Sequence, residues 1–405
     1  MKATIQMFRR LRQTSRIKTN RNLEGFFAER MMRAFSRASL VDAMEELSQS
    51  LDSSTEYVGG RVLAEFIHEA NGPQAPAILA WCREHPKLVA MLASLRDDDD
   101  LDAALQAIQL PEIREDDDSV VTVQPTYDVT IQAYCLTGLA HGADAKAGNA
   151  TLFRRRAVIT ETGRHLYLPV YAGNALRGKM RDLLADHLVR SLGLDASRSK
   201  PSLALWAFHV LYAGGVLEGG ASKVDAALGK AGAVRTDGIR YLRNMLPMLS
   251  LLGTAIGNRV IPGRIYVGDL RPHCREWGNG ERPASELFAW EFLTRRDDYE
   301  GRTEDDDTSA MIAETEVLKP GTQMTGGIDI DDHASSLDRA CLGRGLQLLA
   351  EHGKLGAENR RGLGKVRIEY DGAPDPEEYD QFLADNRAAI LDYLEGLGAL
   401  AKGVA

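Results

Sequence analysis

A chain of 405 residues with 44% hydrophobic residues is long enough for more than one domain, and its four cysteines (Cys82, Cys135, Cys274, Cys341) stand one per region. No CxxC pair and no Cys/His cluster at zinc spacing occurs, which excludes a disulfide scaffold and a structural zinc module, and no apolar run approaches the ~20 residues of a bilayer span. The expectation is a protein of the reducing cytoplasm, without secretory leader, membrane contact, metal or cofactor, whose net charge of −9 speaks against a uniformly basic nucleic-acid binder.

That average conceals segregation. Acidic residues gather in DDDD at 97–100 and EDDD at 115–118 and 304–307, runs that read as solvated linkers, while arginines cluster elsewhere. Residues 1 to about 37 are basic and poorly periodic (FRRLRQTSRIKTNR at 8–21), a tail, a cationic helix face or a nucleic-acid arm. From about 24 to 110 apolar residues recur three and four apart, in FFAERMMRAF, VDAMEELSQSL, GGRVLAEFIHEA, APAILAWCREHPKLVAMLASL and DAALQAIQL, predicting a helical module. The acidic, Pro-containing LPEIREDDDSVVTVQP closes it, so residues 1–120 form one predicted domain.

At 126–136 the period changes to two: Tyr127, Val129, Ile131, Ala133 and Cys135 alternate with mostly polar neighbours, the mark of a strand. A Gly/Ala/Asn loop (GLAHGADAKAGNA), the basic stretch LFRRRAVIT, a strand HLYLPV and a helix from about Asn174 follow. Further helices are predicted at 201–213 and 239–252, strands at 264–270 and 322–330, a helix SLDRACLGRGLQLLAEHG, the strand GKVRIEY and a C-terminal helix. Without insertions at about 191–260 and 275–320, residues 121–372 read β, α, β, β, α, β, the ferredoxin-like (RRM-like) plan of an antiparallel sheet with two helices on one face; 373–405 form a terminal helix. The predicted class is α+β, and such sheets and their rims often receive single-stranded RNA.

Two motifs carry the chemistry. In LPVYAGNALRGKMRDLL (168–184), Gly173 is expected to take positive φ and Asn174 to cap the helix, so that several N–H groups face outward beside Arg177, Gly178, Lys179 and Arg181. Cations at a helix start are mildly unfavourable, by about 0.3–1 kcal/mol, unless a phosphate pairs with them and with the N–H groups. A solvated basic face is the plainer alternative. In GKLGAENRRGLGKVRIEY (353–370), four glycines interleave with Lys354, Arg360, Arg361 and Lys365, giving a backbone a ligand can approach closely, or merely a tight hairpin; the GxxxxGK[ST] spacing of a P-loop is absent.

These motifs resemble the signatures of the repeat-associated mysterious protein superfamily of CRISPR systems. LPVYAGNALRGKMRDLL is similar to its strand–Pro–Gly–Leu-Arg-Gly–helix element, and KLGAENRRGLGKVRIEY to its C-terminal glycine-rich loop. LLGTAIGNRVIPGRIYVGDL and ETEVLKPGTQM resemble the intervening segments of backbone subunits of the seventh Cas family, in the same order, over residues 126–370. The type IV effectors match best and type III next. The resemblance implies a palm with fingers and thumb that binds guide RNA in head-to-tail copies, together with other effector subunits and complementary target nucleic acid. It implies that Asn174, Arg177, Gly178, Lys179, Arg181, the Gly356–Gly364 loop with Arg360, Arg361 and Lys365, and the basic run Arg154, Arg155 and Arg156 serve the RNA. The thumb equivalent is TRRDDYEGRTEDDDTSAMIAETEVL, with Arg295 and Arg296 near its base and Met311 or Ile312 as a wedge. Residues 1–125 lie outside the resemblance and are comparable with the small subunit of such complexes.

The chain is expected not to be an enzyme. The alternative is a metal-dependent endoribonuclease of type III kind using Asp144 in HGADAKAGNA, but a lone carboxylate with His141 three residues away supplies neither a positioned base nor a metal clamp. A ferredoxin-like metabolic or protein-binding domain with a helical fusion is the third reading.

Overall fold

A computed structural model describes residues 1–14, 65, 68–69, 75–95, 97–108, 121, 124–147, 150–160, 163, 165–194, 205–215, 236–256, 259–294 and 312–401. In chain order the elements are α1 Lys2–Thr14, α2 Ala75–Glu84, α3 Pro86–Ser94, α4 Asp98–Ala107, β1 Val129–Cys135, β2 Leu139–Ala140, β3 Gly142–Ala147, β4 Ala150–Phe153, β5 Arg155–Ile159 and β6 His165–Pro169. They continue with α5 Gly173–Ser191, α6 Leu205–Phe208 running into a π turn His209–Ala213, α7 Thr236–Met245, α8 Pro247–Leu252, β7 Thr254–Ile256, β8 Arg259–Ile261 and β9 Ile265–Val267. The last are β10 Phe288–Thr294, β11 Ile312–Leu318, β12 Gln323–Ile330, α9 Ser336–His352, β13 Val366–Asp371, α10 Glu377–Asp385 and α11 Arg387–Ala401. The fold is α+β, as its alternating periods predict.

Two compact units emerge, and neither is a continuous stretch of chain. One comprises Met1–Gln124, Thr137–Val170 and Pro272–Thr322; the other Pro125–Leu136, Tyr171–Arg271 and Gln323–Ala405. Sequence divides the chain at about 120 and 372, whereas the contacts join the N-terminal helices to two β-rich excursions.

The second unit holds the palm. Four strands of its five-stranded sheet run β13–β1–β12–β9, all antiparallel, with Ile131 opposite Gly326 on one side and Tyr370 on the other. Numbered by their order among these four strands, that is 4-1-3-2, which together with helices α5 and α9 realises the split-βαβ plan. β1 alternates strictly, burying Val129, Ile131, Ala133 and Cys135. α5 packs on α9 by burying Leu176, Met180, Leu184 and Leu188, each fully buried apolar side chain stabilising by about 1.5–3 kcal/mol. α9 opens with a capping box, Ser335 Oγ accepting from Asp338 N and the Asp338 carboxylate from Ser335 N, and stops at Gly353 in the left-handed conformation (φ 58°). The predicted C-terminal helix is two, α10 and α11; Arg344 pairs with Asp380, and Arg387 Nη2 donates 3.1 Å to Leu192 O at the end of α5.

In the first unit residues 1–14 of the basic N-terminus do not form a tail; residues 15–37 lie outside the described residues. α1 buries Ile5 and Phe8, three apart, against α2–α4 with Trp81, Leu92 and Leu101. The DDDD run is likewise no linker: Asp97 caps α4 by accepting from Asp99 N at 2.8 Å, and Asp98 pairs with Arg9 at 2.5 Å. Acids favour a helix N-terminus, so this run sits where the peptide dipoles want it. The predicted Gly/Ala/Asn loop is also structured, since β2, β3 and β4 join β10 and β11 in a second sheet. β5 and β6 form a separate hairpin. FFAERMMRAF, VDAMEELSQSL and the EDDD runs lie outside the described residues.

Candidate nucleic-acid interface

The first turns of α5 are where the sequence motifs meet, all within the second unit. The N-cap position belongs to Ala172, which has no side chain to cap with, and Asn174 lies inside the helix, exposed. The orphan N–H of Gly173 is met from a distance of 96 residues, by Asp269 Oδ1 at 2.7 Å. Asp269 is the acid of GRIYVGDL, so one landmark caps the helix of another. This corrects the expectation of an outward anion cradle at the helix tip, because the anion there is a carboxylate of the chain itself. Gly173 is required by closeness rather than by positive φ: a Cβ would stand 2.2 Å from Val267 O.

Arg177 and Arg181, expected to pair with a phosphate or to form a solvated basic face, donate instead to backbone carbonyls. Both donate to Leu252 O at the C-terminal end of α8, and Arg181 Nη2 reaches Gly253 O at 2.9 Å. Arginine donors suit unpaired helix-end carbonyls, which carry partial negative charge. Burial, with some repulsion from Arg177, lowers the Arg181 pKa to about 10, and burial lowers that of Arg177. The Leu-Gly landmark is thus the acceptor of the Leu-Arg-Gly landmark.

The glycine-rich loop completes the convergence. Gly356 N donates to Tyr171 Oη at 3.2 Å, tying that loop to the residue two before α5. The loop doubles back tightly: Leu355 N donates to Gly364 O, Val366 N to Gly353 O, and Lys354 bridges Lys365. Gly364 has φ 77°, and a Cβ there would stand 2.0 Å from Leu355 O. Lys354, Arg360 and Lys365 are exposed, whereas Arg361 pairs with Glu358 at 2.6 Å. Lys179, on α5, is half-buried. His352, at the end of α9, has its pKa lowered by burial first and then by the charges of Lys179 and Lys354, with Asp186 opposing them. Lys179, Lys354, Arg360 and Lys365 with exposed Gly178 therefore form a basic rim.

The RRR run, in the first unit, divides. The Arg155 side chain is 6% exposed and grips Glu316 with both Nη atoms, at 2.9 and 2.7 Å, while its guanidinium carbon lies 4.6 Å from the Phe288 ring centroid. Burial alone would raise the Glu316 carboxyl. Hydrogen bonds from His68 and Arg155, the charge of Arg155 and the N–H of Phe153 outweigh it and hold the pKa at about 2. Arg155 is hence a structural residue, which corrects its assignment to RNA. Arg154 is half-buried, with Nε 3.4 Å from Gly142 O, and Arg156 is exposed.

Asp144 lies in strand β3, not in a loop, and its side chain is outside the described residues, as are Arg295, Arg296 and Met311. The described part of the thumb equivalent belongs to a paired ribbon, β10 with β11 from Phe288–Leu318 to Thr294–Ile312. Among the described residues no group of three His, Cys, Asp or Glu is placed to hold a metal ion, and no helix is long and apolar enough to cross a membrane.

No family model matches the chain, and no curated protein matches it. Among solved structures one similar chain is described as "Type IV-B CRISPR Complex", 18% identical, with a TM-score of 0.41 over 60% of this chain and 90% of that one. At that identity and score the likeness establishes neither family nor activity.

Proposed function

We propose that the chain is a guide-RNA-binding backbone subunit of a multi-subunit CRISPR effector complex, of the type IV kind. It acts as a non-enzymatic cytoplasmic scaffold, several copies lying head to tail along one RNA with other effector subunits and presenting it to a complementary target. The observation that carries this reading is the Tyr171–Gly356 hydrogen bond, which brings the two sequence motifs to one place, flanked by Lys179, Lys354, Arg360 and Lys365. Lysines on a Gly-rich turn neutralise phosphates without reading bases, as a subunit that must accept any guide requires.

Fluorescence anisotropy with unrelated single-stranded RNAs over a salt series tests it. Affinity should be insensitive to sequence and fall steeply with salt. Lys354→Ala with Lys365→Ala should reduce the slope of log K against log salt by about one to two, since each single-strand phosphate no longer neutralised takes away roughly 0.7. Failure of the purified chain to bind any RNA at low salt would end the reading.

A further inference from the structure

One corner of the palm sheet carries an acid and two tyrosines on its open face. Tyr266 on β9 is 71% exposed, more than any other large hydrophobic side chain among the described residues. It stands opposite Asp329 on β12, and the ladder runs on through Gly268 N, which donates to Gly327 O at 2.9 Å. Tyr127 lies against both glycines: a Cβ on Gly268 would stand 2.3 Å from its Oη, and one on Gly327 2.5 Å from its Cγ. Tyr266, Gly268, Gly327 and Asp329 share one face of the sheet by their register, so Tyr127 and Tyr266 neighbour the Asp329 carboxylate. Among the described residues no hydrogen bond or ion pair engages that carboxylate. Asp371, exposed on β13, adds a second acid, whereas Arg271 is half-buried and already engaged. Tyrosine rings beside a carboxylate suit a cation, and the acids oppose a phosphate.

The chain carries a complement to this corner. β5 and β6 pair with each other and join neither sheet, and such a ribbon is marginal in water unless another surface packs on it. On β5, Arg156 and Ala157 are exposed and Ile159 is 63% exposed, which combines a cation with apolar area.

We propose that this corner is the docking surface for the β5–β6 hairpin of a second copy of the chain, with Arg156 on Asp329 and Ile159 against the tyrosines. Tyrosine and arginine are the side chains that most often anchor such contacts. Two different surfaces meet, so the contact repeats from copy to copy and builds an open row. The proposal deepens the backbone reading and rests on it for its purpose, although the contact itself needs no RNA. It also moves Arg156 from the RNA to a neighbouring subunit.

The test uses the full chain, freed of nucleic acid, in sedimentation velocity over a concentration series at low salt. A second arm measures anisotropy with two single-stranded RNAs, one long enough for several copies and one for a single copy. The expected results are concentration-dependent association and cooperative binding to the long RNA. Asp329→Arg and Arg156→Glu should each abolish association and lower the long-to-short affinity ratio by about tenfold, as breaking a close charge pair does. Taking the ratio cancels the change each makes in net charge. Combined in one chain, the two substitutions re-form the pair with its signs exchanged and should recover both readouts. Tyr266→Ala, which alters no charge, should weaken association in the same way. A monomeric chain that fills long RNA without cooperativity overturns the proposal. So does association that Asp329→Arg leaves unchanged, or a loss that the combined variant does not recover, since another occupant would then cover the corner. If no variant binds RNA, the backbone reading fails and sedimentation alone decides the contact.

Discussion

Replacing Arg155 tests whether the basic run LFRRRAVIT serves the fold or a ligand. In the native protein the Arg155 and Glu316 side chains are 6% and 1% exposed, joined by two bonds of 2.7 and 2.9 Å. Arg155→Met roughly keeps the side-chain volume and leaves the Glu316 carboxylate, among the described residues, with Phe153 N at 2.8 Å and His68 Nε2 at 3.5 Å. Breaking a buried pair in this way costs about 3–5 kcal/mol. Proton linkage gives a comparable figure, since a carboxyl moved from 4.5 to about 2 contributes about 3 kcal/mol. Because the folded pKa is the depressed one, that contribution is present above pH 4.5 and disappears as pH falls towards 2. Urea unfolding at pH 7 should show the loss as a lower midpoint, with hydrogen exchange at β4 and β11 assigning it to the sheet that holds Glu316. Arg155→Met with Glu316→Leu should recover much of it, because no charge is then left buried. Arg156→Ala, at an exposed position, should stay within about 0.5 kcal/mol. If Arg155→Met is as mild as Arg156→Ala, or if the double variant is worse than the single one, the buried-pair account is wrong.

Asp269→Asn weakens the charged cap on Gly173 N and should lower stability by about 1 kcal/mol, read from the urea midpoint, while RNA affinity at fixed salt stays within about twofold. Glu358→Gln removes the ion pair with Arg361 and one of the acids beside the rim, so RNA should bind about two- to fivefold more tightly at low salt, by anisotropy, with the gain fading at high salt.

Periodicity makes the palm legible. The alternation around Ile131 and the stripe of Met180, Leu184 and Leu188 follow from one-face burial, and one-face burial is a local pattern. The N-terminal helix is hard to read because a single apolar pair, Ile5 and Phe8, hides among arginines, and its partners lie some 90 residues away in α3 and α4. The site is legible as a set of landmarks but not as a set of contacts. Sequence marks Asp269, Leu252 and Gly356 as members of recurring segments; only the fold brings them to α5 as cap, acceptor and loop anchor. The direction of a side chain decides whether it is a ligand contact or a strut, and composition does not encode direction. Arg155 and Arg156 are adjacent in one strand, point to opposite faces, and have opposite fates.

The same reasoning decides where a polyanion can lie on the palm. The polar face of its sheet carries Asp329, Glu369 and Asp371 against Arg367, and Arg367 is already held by Glu369 at 3.0 Å and stacked 4.6 Å over Tyr134. Each phosphate brought to about 4 Å from a carboxylate meets about 1 kcal/mol of repulsion even in water, so a backbone crossing that face is opposed repeatedly. The rim offers Lys179, Lys354, Arg360 and Lys365; of the acids beside it, Glu358 is paired with Arg361, and Asp182 and Asp186 act on the Lys179 side. RNA should therefore follow the rim, with its bases away from Tyr134. Tyr134→Ala should leave affinity within about twofold, whereas a nucleobase stacked on that ring would make the loss about 1–3 kcal/mol. Measured by anisotropy at one salt concentration, a loss of tenfold or more in Tyr134→Ala would put the strand on the sheet face and refute the rim path.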